Sequence, residues 1–529
     1  MALTFAGCVL DLDGHELRRN GTPVALEPQA MRILVELIDK RARVVEKAEL
    51  LDSVWGSRFV SESALTTQIK ELRRAVGDTG REQSVIKTVH GVGYRFVAEV
   101  EEDEVPASAV RNLAPVVAVL PFANLSVEER YAHVAAGLTH DIVTALSKHR
   151  WLRVLARASV AGLAGLPDAH ARLRDELGAD YVVEGSVRIS RGRLRVTAML
   201  TEMTTGVCHW AERYDRPFED LFDVLDDVTD MISATVEPEV GYAERARARD
   251  RDHTDLHIWD LFHLGLAHFY RFTAEDNVEA QRLLDQCRRL DPDFGAAHAW
   301  WAYAVVLGMV YWSTEPTAAA LDEALSATQD ALTTDEHNAV FHMLRGRVQL
   351  ARREYDLALV ENRRAIELNP TFAAAYCGLG DSLCYEGRYN EAIEQFSRSI
   401  ALGTHDPQRW AFLSYGALAL LFAGRYDEAI AWTDEAATLP NCQYWTLAHR
   451  VVALSSLGRQ DEAARTVERL VALCPDFSLD YARRKLFYLK RADQLELYLT
   501  GLADAGVAET TSTSTGSSTG GRHADSVQP

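Results

Sequence analysis

The sequence predicts three consecutive folding units of different class: an α+β unit, an α/β unit with a mixed sheet, and an all-α helical repeat. The chain has 529 residues, well beyond the roughly 250 to 300 at which a single hydrophobic core stops growing. The spacing of apolar residues changes twice along the chain, and its last part repeats with a period of about 34 residues. With 47% hydrophobic and 25% charged residues, most of the chain is expected to fold.

The first unit, residues 1–98, combines a small sheet, three helices and a hairpin. Asp13-Gly14 and Asn20-Gly21 are turn sequences that separate short strand patterns. Three amphipathic helices follow, and a glycine-containing turn at His90 to Gly93 joins the last two strands. The predicted elements are strands 5–12, 17–19 and 23–26, helices 28–41, 47–55 and 63–76, and hairpin strands 84–89 and 94–97. This order predicts a winged helix.

The third helix of this unit has the side chains that a DNA-reading helix needs. Its predicted buried stripe consists of Leu65, Ile69, Leu72 and Val76. The opposite face has hydroxyl, amide and basic groups, which can contact base edges and phosphates in a major groove. A solvated amphipathic helix has much the same face, so the helix alone does not decide between the two interpretations. The predicted DNA-binding residues are Trp55, Thr66, Thr67, Gln68, Lys70, Glu71, Arg73, Arg74, Thr88 and His90.

The hairpin decides in favour of DNA binding. Three segments of this unit follow one another in a characteristic order: VVEKAELLDSVWG, SESALTTQIKELRRAVGD and VIKTVHGVGYRFV. With this order, residues 5–98 resemble the OmpR/PhoB-type winged-helix family. The resemblance implies that the third helix enters the major groove, that the wing contacts the minor groove, and that loop 56–60 contacts RNA polymerase. His90 and Glu71 stand where the family often has basic residues, which lowers the expected nonspecific affinity. Glu71 can instead accept a hydrogen bond from a cytosine amine.

The distribution of charge agrees with a DNA-binding role for the first unit alone. Residues 1–98 contain 14 Lys and Arg and 13 Asp and Glu, whereas the whole chain has a net charge of −21. Only the first unit can therefore approach a polyanion without general repulsion. The acid-rich residues 99–114 are predicted to be a solvated linker.

The N-terminus leaves little room for a phosphoacceptor receiver domain, because the first predicted strand starts about five residues after Met1. The layout resembles the one-component regulators of the CadC/ToxR/HilA kind. No apolar run reaches the roughly 18 residues that a membrane span needs, and no signal peptide is recognisable. The arrangement is therefore nearer to the soluble HilA type, and a cytoplasmic location is expected.

Residues 115–240 alternate between strand and helix patterns. The predicted elements are strand 116–122, helix 137–149, strand 152–156, helix 170–177, strands 181–189, 193–202 and 207–214, and helix 218–236. This order predicts an α/β domain with a mixed sheet. Two segments carry a resemblance to a known family: VAVLPFANLS and LGADYVVEGSVRISRGRLRVTAMLTEMTTG. They resemble the TolB-N-terminal-like domain, and this resemblance implies no settled chemistry. The charged residues 241–255 are predicted to be a second linker.

No catalytic, metal or cofactor site is predicted in this chain. Four polar residues could suggest an active site in the middle domain: His133, His140, Asp141 and His149. No nucleophile or metal-ligand spacing accompanies them, so capping or surface roles are favoured. Neither GxGxxG nor GxxxxGK[ST] occurs, which leaves nucleotide hydrolysis unsupported. The seven cysteines are scattered without a CxxC pair, so reduced thiols are expected.

Residues 256–500 contain a repeated helical unit. GRYNEAI at 387–393 recurs as GRYDEAI at 424–430 and more loosely at 353–359 and 458–464. Small residues at Gly265, Gly346 and Gly380 are expected where paired helices approach closely, and Leu284, Phe396 and Val467 are expected to fill the space between them. The spacing resembles that of tetratricopeptide repeats, which implies a solenoid that binds a protein or peptide.

Aromatic residues are frequent in this repeat region and are mostly expected to form its core. Trp312, which precedes Pro316, is the best candidate for an exposed partner contact. The low-complexity residues 501–529 are predicted to be a disordered tail.

Together these features predict a non-enzymatic, one-component transcriptional regulator. Its partners are expected to be duplex DNA, RNA polymerase and a protein or ligand on the solenoid, and the chain can form a homo-oligomer on DNA. One alternative is an enzyme-linked signalling protein whose middle domain binds a small ligand or nucleotide. A second alternative is a repeat scaffold in which DNA binding is secondary.

Overall fold

The computed structural model divides into two compact units, one ending at Asn112 and one beginning at Leu113. It describes residues 2–510 except for 12–15, 20–21, 25, 27, 42, 56–61, 79–82, 90, 99–100, 104–113, 129–130, 164, 218–220, 251–256 and 313. Each unit has its own hydrophobic core. The predicted disordered tail at 501–529 is wrong at its start, because residues 501–504 belong to the helix Ala492–Asp504. Residues 511–529 lie outside the described residues.

The first unit is a winged helix, as predicted. Its elements are β1 (Ala2–Phe5), β2 (Cys8–Asp11), β3 (Glu16–Arg19), β4 (Thr22–Val24), α1 (Pro28–Asp39), β5 (Val45–Glu46), α2 (Lys47–Trp55), α3 (Glu62–Val76), β6 (Ile86–Val89), β7 (Gly93–Phe96) and β8 (Glu101–Asp103). The strands form two sheets, of order β4-β3-β2-β1-β8 and β5-β7-β6. The rings of Phe5 in β1 and Phe96 in β7 meet edge to face, with centroids 5.1 Å apart. The three helices and both sheets thus share one core.

Two details of the first unit differ from the sequence prediction. The single strand predicted at 5–12 is wrong: Ala6 and Gly7 have φ angles of 47° and 75° and turn β1 back into β2. The alanine conceals this turn, because alanine rarely adopts a positive φ. Part of the predicted linker 99–114 is also wrong, since residues 101–103 form β8 and pair with β1. This pairing satisfies the backbone edge that β1 would otherwise expose.

The first part of the second unit has the predicted mixed sheet. Its elements are β9 (Val116–Val119), β10 (Ala123–Asn124), α4 (Ala132–Leu146), β11 (Arg153–Val154), α5 (Arg157–Val160), α6 (Ala169–Asp175), β12 (Tyr181–Ser190), β13 (Arg193–Glu202), β14 (Cys208–Pro217) and α7 (Leu221–Asp250). The main path is β11-β9-β12-β13-β14, and β10 pairs with β12. Strand β9 runs parallel to β11 and β12, whereas β12, β13 and β14 are antiparallel. The sequence prediction lacked the short elements β10 and α5.

Helix α7 continues where the sequence suggested that it ends. It passes through Pro238 and reaches Asp250, so the predicted end at 236 and the first ten residues of the predicted linker 241–255 are wrong. Val240 and Ala248 on this extension are buried. Arg247 Nη1 donates to Glu244 Oε1 over 2.9 Å. The charges of this run therefore pair within a packed helix, and the packing outweighs the single backbone donor that proline removes.

The remainder of the second unit is an all-α repeat solenoid. Its helices are α8 (Ile258–Phe269), α9 (Ala274–Leu290), α10 (Gly295–Tyr311), α11 (Ala318–Thr334), α12 (Ala339–Ala351), α13 (Tyr355–Leu368), α14 (Ala373–Tyr385), α15 (Tyr389–Leu402), α16 (Arg409–Phe422), α17 (Tyr426–Ala436), α18 (Tyr444–Ser456), α19 (Gln460–Leu473), α20 (Leu479–Lys485) and α21 (Ala492–Asp504). The predicted close approaches are present. A Cβ added to Gly265 would lie 3.1 Å from Leu284 Cγ, and one added to Gly380 would lie 2.9 Å from Phe396 Cε2.

The repeated GRxxE motif has the same local structure each time. Its glycine has a positive φ of 87°, 75° or 70° at Gly387, Gly424 and Gly458, and it ends the first helix of the pair. The following arginine then pairs with the glutamate three residues on; the pairs are Arg388–Glu391, Arg425–Glu428 and Arg459–Glu462. One turn and one ion pair thus account for the motif that the sequence repeats.

Trp312 is not the exposed contact that the sequence suggested. It is half-buried after α10, and its ring centroid lies 6.1 Å from that of Phe272. Its carbonyl oxygen accepts a hydrogen bond from Lys485 Nζ. Across the described part of the chain, no helix is both long and apolar enough to span a bilayer.

Candidate nucleic-acid interface

Helix α3 buries the stripe that the sequence predicted. Leu65, Ile69, Leu72 and Val76 are all at most 2% exposed. Their spacing of three or four residues places them on one side of a helix of 3.6 residues per turn. The stripe packs into the core of the first unit with residues of α1 and of the hairpin. This packing fixes which side of α3 faces outward.

The outward side presents four of the predicted DNA-binding residues. Thr66, Thr67, Lys70 and Arg74 are exposed. Their positions correspond to successive turns of one helix face. Gln68 and Glu71 are half-buried at the border between this face and the core. The exposed side of α3 therefore combines two hydroxyl groups with two cations.

Arg73 ties α3 to the hairpin. Its Nε and Nη2 atoms donate to the backbone oxygen of Ile86 over 3.2 and 2.6 Å. Nη2 also donates to Thr88 Oγ1 over 2.8 Å. Two predicted DNA-binding residues are thus bonded to each other, and both are half-buried. In this structure Arg73 and Thr88 fix the angle between the helix and the first wing strand.

Asp78 organises the loop that leads from α3 to the hairpin, and the sequence analysis did not identify it. The side chain is 5% exposed. Its carboxylate accepts backbone hydrogen bonds from Ser84, Val85 and Ile86 over 3.0, 3.1 and 2.8 Å. The available sequence signal was an aspartate directly after Gly77, whose φ of 75° ends α3.

We expect Asp78→Ala to destabilise the first unit by about 2 to 3 kcal/mol, because it leaves three backbone donors without their acceptor. Chemical denaturation of the full chain, followed by a probe in the first unit, measures this loss. Asp78→Asn is the matched variant, since one acceptor oxygen remains, and it should lose less. Equal stability of Asp78→Ala and the natural protein would contradict the role assigned to this carboxylate.

Several basic residues of the first unit differ in their surroundings. Arg43 and Lys40 both pair with Glu49, and their hydrogen bonds hold the pKa of that carboxyl down at about 2. Four others are exposed on α3 and the hairpin: Lys70 and Arg74 on α3, Lys87 on β6 and Arg95 on β7. Arg95 Nε also donates to the backbone oxygen of Arg41 over 3.3 Å. Helix α3 and the wing strands thus each present two exposed cations.

The remaining predicted site residues are less fully defined. Trp55 is the last residue of α2. His90, in the wing turn, lies outside the described residues, as does the loop 56–60. The neighbouring Gly91 and Val92 are both exposed, and Gly91 has a φ of 78°. In the ranges that the structure describes, no three His, Cys, Asp or Glu side chains are grouped as a metal site requires.

Comparison with known protein families identifies two parts of the chain. Residues 21–96 match the family described as "Transcriptional regulatory protein, C terminal". Residues 377–441 match a tetratricopeptide repeat family. The first unit thus contains a DNA-binding domain of the OmpR/PhoB transcriptional-regulator type, and the solenoid contains tetratricopeptide repeats. The resemblance of residues 115–240 to the TolB-N-terminal-like domain stays a prediction.

Similar proteins include both regulators and a protein named as an enzyme. The chain is 36% identical over 221 residues to "Putative adenylate cyclase 3" of Rhizobium meliloti, covering 42% of this chain and 38% of that protein. It is 31% identical over 185 residues to transcriptional regulator HilA of Salmonella typhi, covering 35% and 32%. It is 33% identical over 95 residues to the phosphate regulon regulator PhoB of Pseudomonas aeruginosa, covering 18% and 41%. The chain thus spans well under half of the length of each of these relatives.

Proposed function

We propose that the chain is a non-enzymatic, one-component transcriptional regulator that binds specific duplex DNA in the cytoplasm. Residues 1–98 would bind DNA, residues 115–240 would connect or sense, and residues 256–500 would bind a ligand or protein partner. The observation on which this rests is the exposed face of α3, opposite a fully buried stripe and next to a wing hairpin. The match of residues 21–96 to a regulatory domain supports it.

In this proposal each exposed residue has a role that its chemistry allows. Lys70 and Arg74 contact phosphates, because a cation on an exposed helix face can reach the backbone on either side of the groove. Thr66 and Thr67 approach base edges, where hydroxyl groups can donate or accept. Gln68 and Glu71, at the border of the face, complete the base contacts. Arg73 and Thr88 contribute by holding the wing at a fixed angle to α3.

The wing and the loop before α3 extend this interface. Lys87 and Arg95 on the wing strands add positive charge next to the minor groove, and His90 in the turn is closest to it by the family resemblance. The resemblance also implies that loop 56–60 contacts RNA polymerase, and the chain would form a homo-oligomer on DNA. These contacts are part of the proposal.

Replacing Lys70 and Arg74 together with alanine should weaken binding to all DNA sequences. Each lost phosphate contact lowers the slope of log K against log salt by about 0.9, so the slope should fall by about 2. Fluorescence anisotropy with the DNA upstream of the protein's own gene, at about 50 to 200 mM salt, measures the DNA affinity and its salt slope. Arg363→Ala, which removes an exposed cation of the solenoid, is the matched control.

The proposal fails if the full chain shows no salt-dependent DNA binding, or if the Lys70 and Arg74 double variant behaves like the Arg363 variant.

An enzyme-linked signalling protein is the second candidate, favoured by the similarity to "Putative adenylate cyclase 3". Calorimetric titration of the full chain with ATP distinguishes it. ATP binding without sequence-specific DNA binding would favour this second function.

A further inference from the structure

The second unit contains a partly open cavity between helix α7 of the α/β layer and the first helices of successive repeat pairs. The cavity volume is about 110 Å³, and the cavity continues into open solvent. Eight of its lining residues are aromatic and come from three helices and from connecting segments: Trp151, Trp259, Phe262, Tyr270, Phe294, Trp300, Phe341 and Phe372. Such a lining suits a planar, largely apolar molecule.

Two polar side chains of this cavity are buried without the hydrogen bonds they need. His263 is 2% exposed, and neither of its ring nitrogens is bonded to any described residue. Arg245 is 8% exposed, and its Nη2 lacks an acceptor within the same described set. The Arg245 guanidinium is held between Tyr242 and Tyr270, with its Cζ 4.7 Å from each ring centroid. Because an unpaired buried polar group is costly and rare, these atoms indicate a missing partner.

Two carboxyl groups also line the cavity. Glu237 accepts a hydrogen bond from Trp151 Nε1 over 2.8 Å, and Asp406 accepts one from the backbone N–H of Gln408 over 2.7 Å. Burial raises the pKa of Glu237 to about 7 and that of Asp406 to about 6. Burial and the nearby Arg245 and Arg247 lower the pKa of His263 to about 3, so the imidazole is neutral. Two donor groups, Arg245 and the neutral His263, and two carboxyl groups thus share one aromatic space.

Above about pH 7, where both carboxyls are mainly ionised, this combination disfavours ligands of a single charge. A simple anion would satisfy Arg245 but would also face Glu237 and Asp406. A simple cation would suit the two carboxyls but would add a like charge beside Arg245 and leave its Nη2 without an acceptor. A molecule with both charges satisfies both ends.

We propose that this cavity binds a small zwitterion with an aromatic body, of the α-amino acid class. Its carboxylate accepts from Arg245 Nη2 and from the N–H of His263, and its ammonium group donates to Glu237 and Asp406. Its ring lies among Trp259, Phe262 and Trp300. The site goes beyond the proposed function, and its occupancy does not depend on DNA binding.

Isothermal titration of the full chain with three indoles tests the charge requirement. L-tryptophan has both charged groups, tryptamine lacks the carboxylate, and indole-3-acetate lacks the ammonium group. L-tyrosine and L-phenylalanine are titrated alongside L-tryptophan. At least one of the three amino acids should bind at least about tenfold more tightly than tryptamine and indole-3-acetate, because each of these two compounds lacks one charge-assisted contact. If none of the three amino acids binds, or if tryptamine or indole-3-acetate binds equally well, the proposal is overturned.

Two histidine variants separate ligand binding from stability. His263→Phe removes the unpaired nitrogens and keeps a similar side-chain volume, so the melting temperature should stay unchanged or rise. The same variant should bind the amino acid at least about tenfold more weakly. His449→Phe is the matched control: His449 is equally buried but outside the cavity lining, and its Nδ1 is 2.7 Å from Tyr498 Oη. This control should lower the melting temperature and leave binding unchanged.

Arg245→Met tests the carboxylate end through selectivity. The variant should lose most of its preference for L-tryptophan over tryptamine, because only the N–H of His263 still contacts the carboxylate. A His263→Phe protein that binds the amino acid as the natural protein does would overturn the proposal, whether or not the Arg245→Met protein folds. So would an Arg245→Met protein that prefers L-tryptophan over tryptamine as strongly as the natural protein does.

Discussion

Gly93→Ala is expected to abolish DNA binding by displacing the wing. A Cβ at this position would lie 1.9 Å from the backbone oxygen of Val45 and 2.9 Å from Glu46 Cα. Gly93 pairs with Glu46 where β7 runs antiparallel to β5. The obstacle is the backbone of β5, so it cannot move away by a rotamer change. The strand pair must separate, and we expect a loss of about 4 kcal/mol in the stability of the first unit.

Gly91→Ala is the matched control two residues earlier. Gly91 has a φ of 78°, but a Cβ there would meet nothing within 4 Å. Alanine at this position therefore incurs only the conformational cost of a left-handed residue, about 1 to 2 kcal/mol. Denaturant unfolding and DNA anisotropy on both variants distinguish the steric effect from the conformational one. If Gly93→Ala were no more damaging than Gly91→Ala, the close approach of β5 and β7 would not be needed for the wing.

The sequence predicted those parts of the fold that depend on local periodicity. The spacing of Leu65, Ile69 and Leu72 was enough to define the buried side of α3, and hence its exposed side. The repeat period likewise placed Gly265 against Leu284 in the solenoid, because each helix pair buries the same positions. The family resemblance supplied the role of the winged helix.

The parts that could not be predicted depend on contacts between residues far apart in the sequence. Pro238 and the charges after it suggested the end of a helix, but packing of Val240 and Ala248 keeps α7 helical. Arg73 was predicted as a DNA contact, and only the structure shows that Ile86 and Thr88 accept its hydrogen bonds.

The cavity was missed for the same reason. The aromatic residues of the repeats were correctly expected to be mostly core, and Trp259 and Phe262 are buried. Sequence spacing gives no indication that they face Trp151 and Arg245 of the α/β layer across a partly open cavity. Whether an aromatic residue packs against protein or lines a cavity depends on the element that comes to lie opposite.

Breaking the ion pair between Arg347 and Asp381 should destabilise the solenoid more than any change to its surface charges. The two side chains are 10% and 4% exposed, and Arg347 Nη1 donates to Asp381 Oδ2. Arg347 Nη2 also lies 3.1 Å from Cys377 Sγ, and Tyr385 Oη lies 3.4 Å from Asp381 Oδ1. Arg347→Met or Asp381→Asn should each lower the free energy of unfolding by about 3 to 5 kcal/mol, because one buried polar partner is left uncompensated.

The double variant Arg347→Met with Asp381→Asn should recover much of this loss, since it removes both charges from the interior. Denaturant unfolding of the full chain, followed by the helical circular dichroism signal of the solenoid, measures all four proteins. Arg388→Met is the matched control: its pair with Glu391 is 42% and 55% exposed, so the change should be too small to distinguish from the natural protein. Single variants that lose no more stability than Arg388→Met would show that water, not the partner charge, compensates each member of the pair. A double variant that loses the sum of the two single losses would show that the two charges act independently despite their contact.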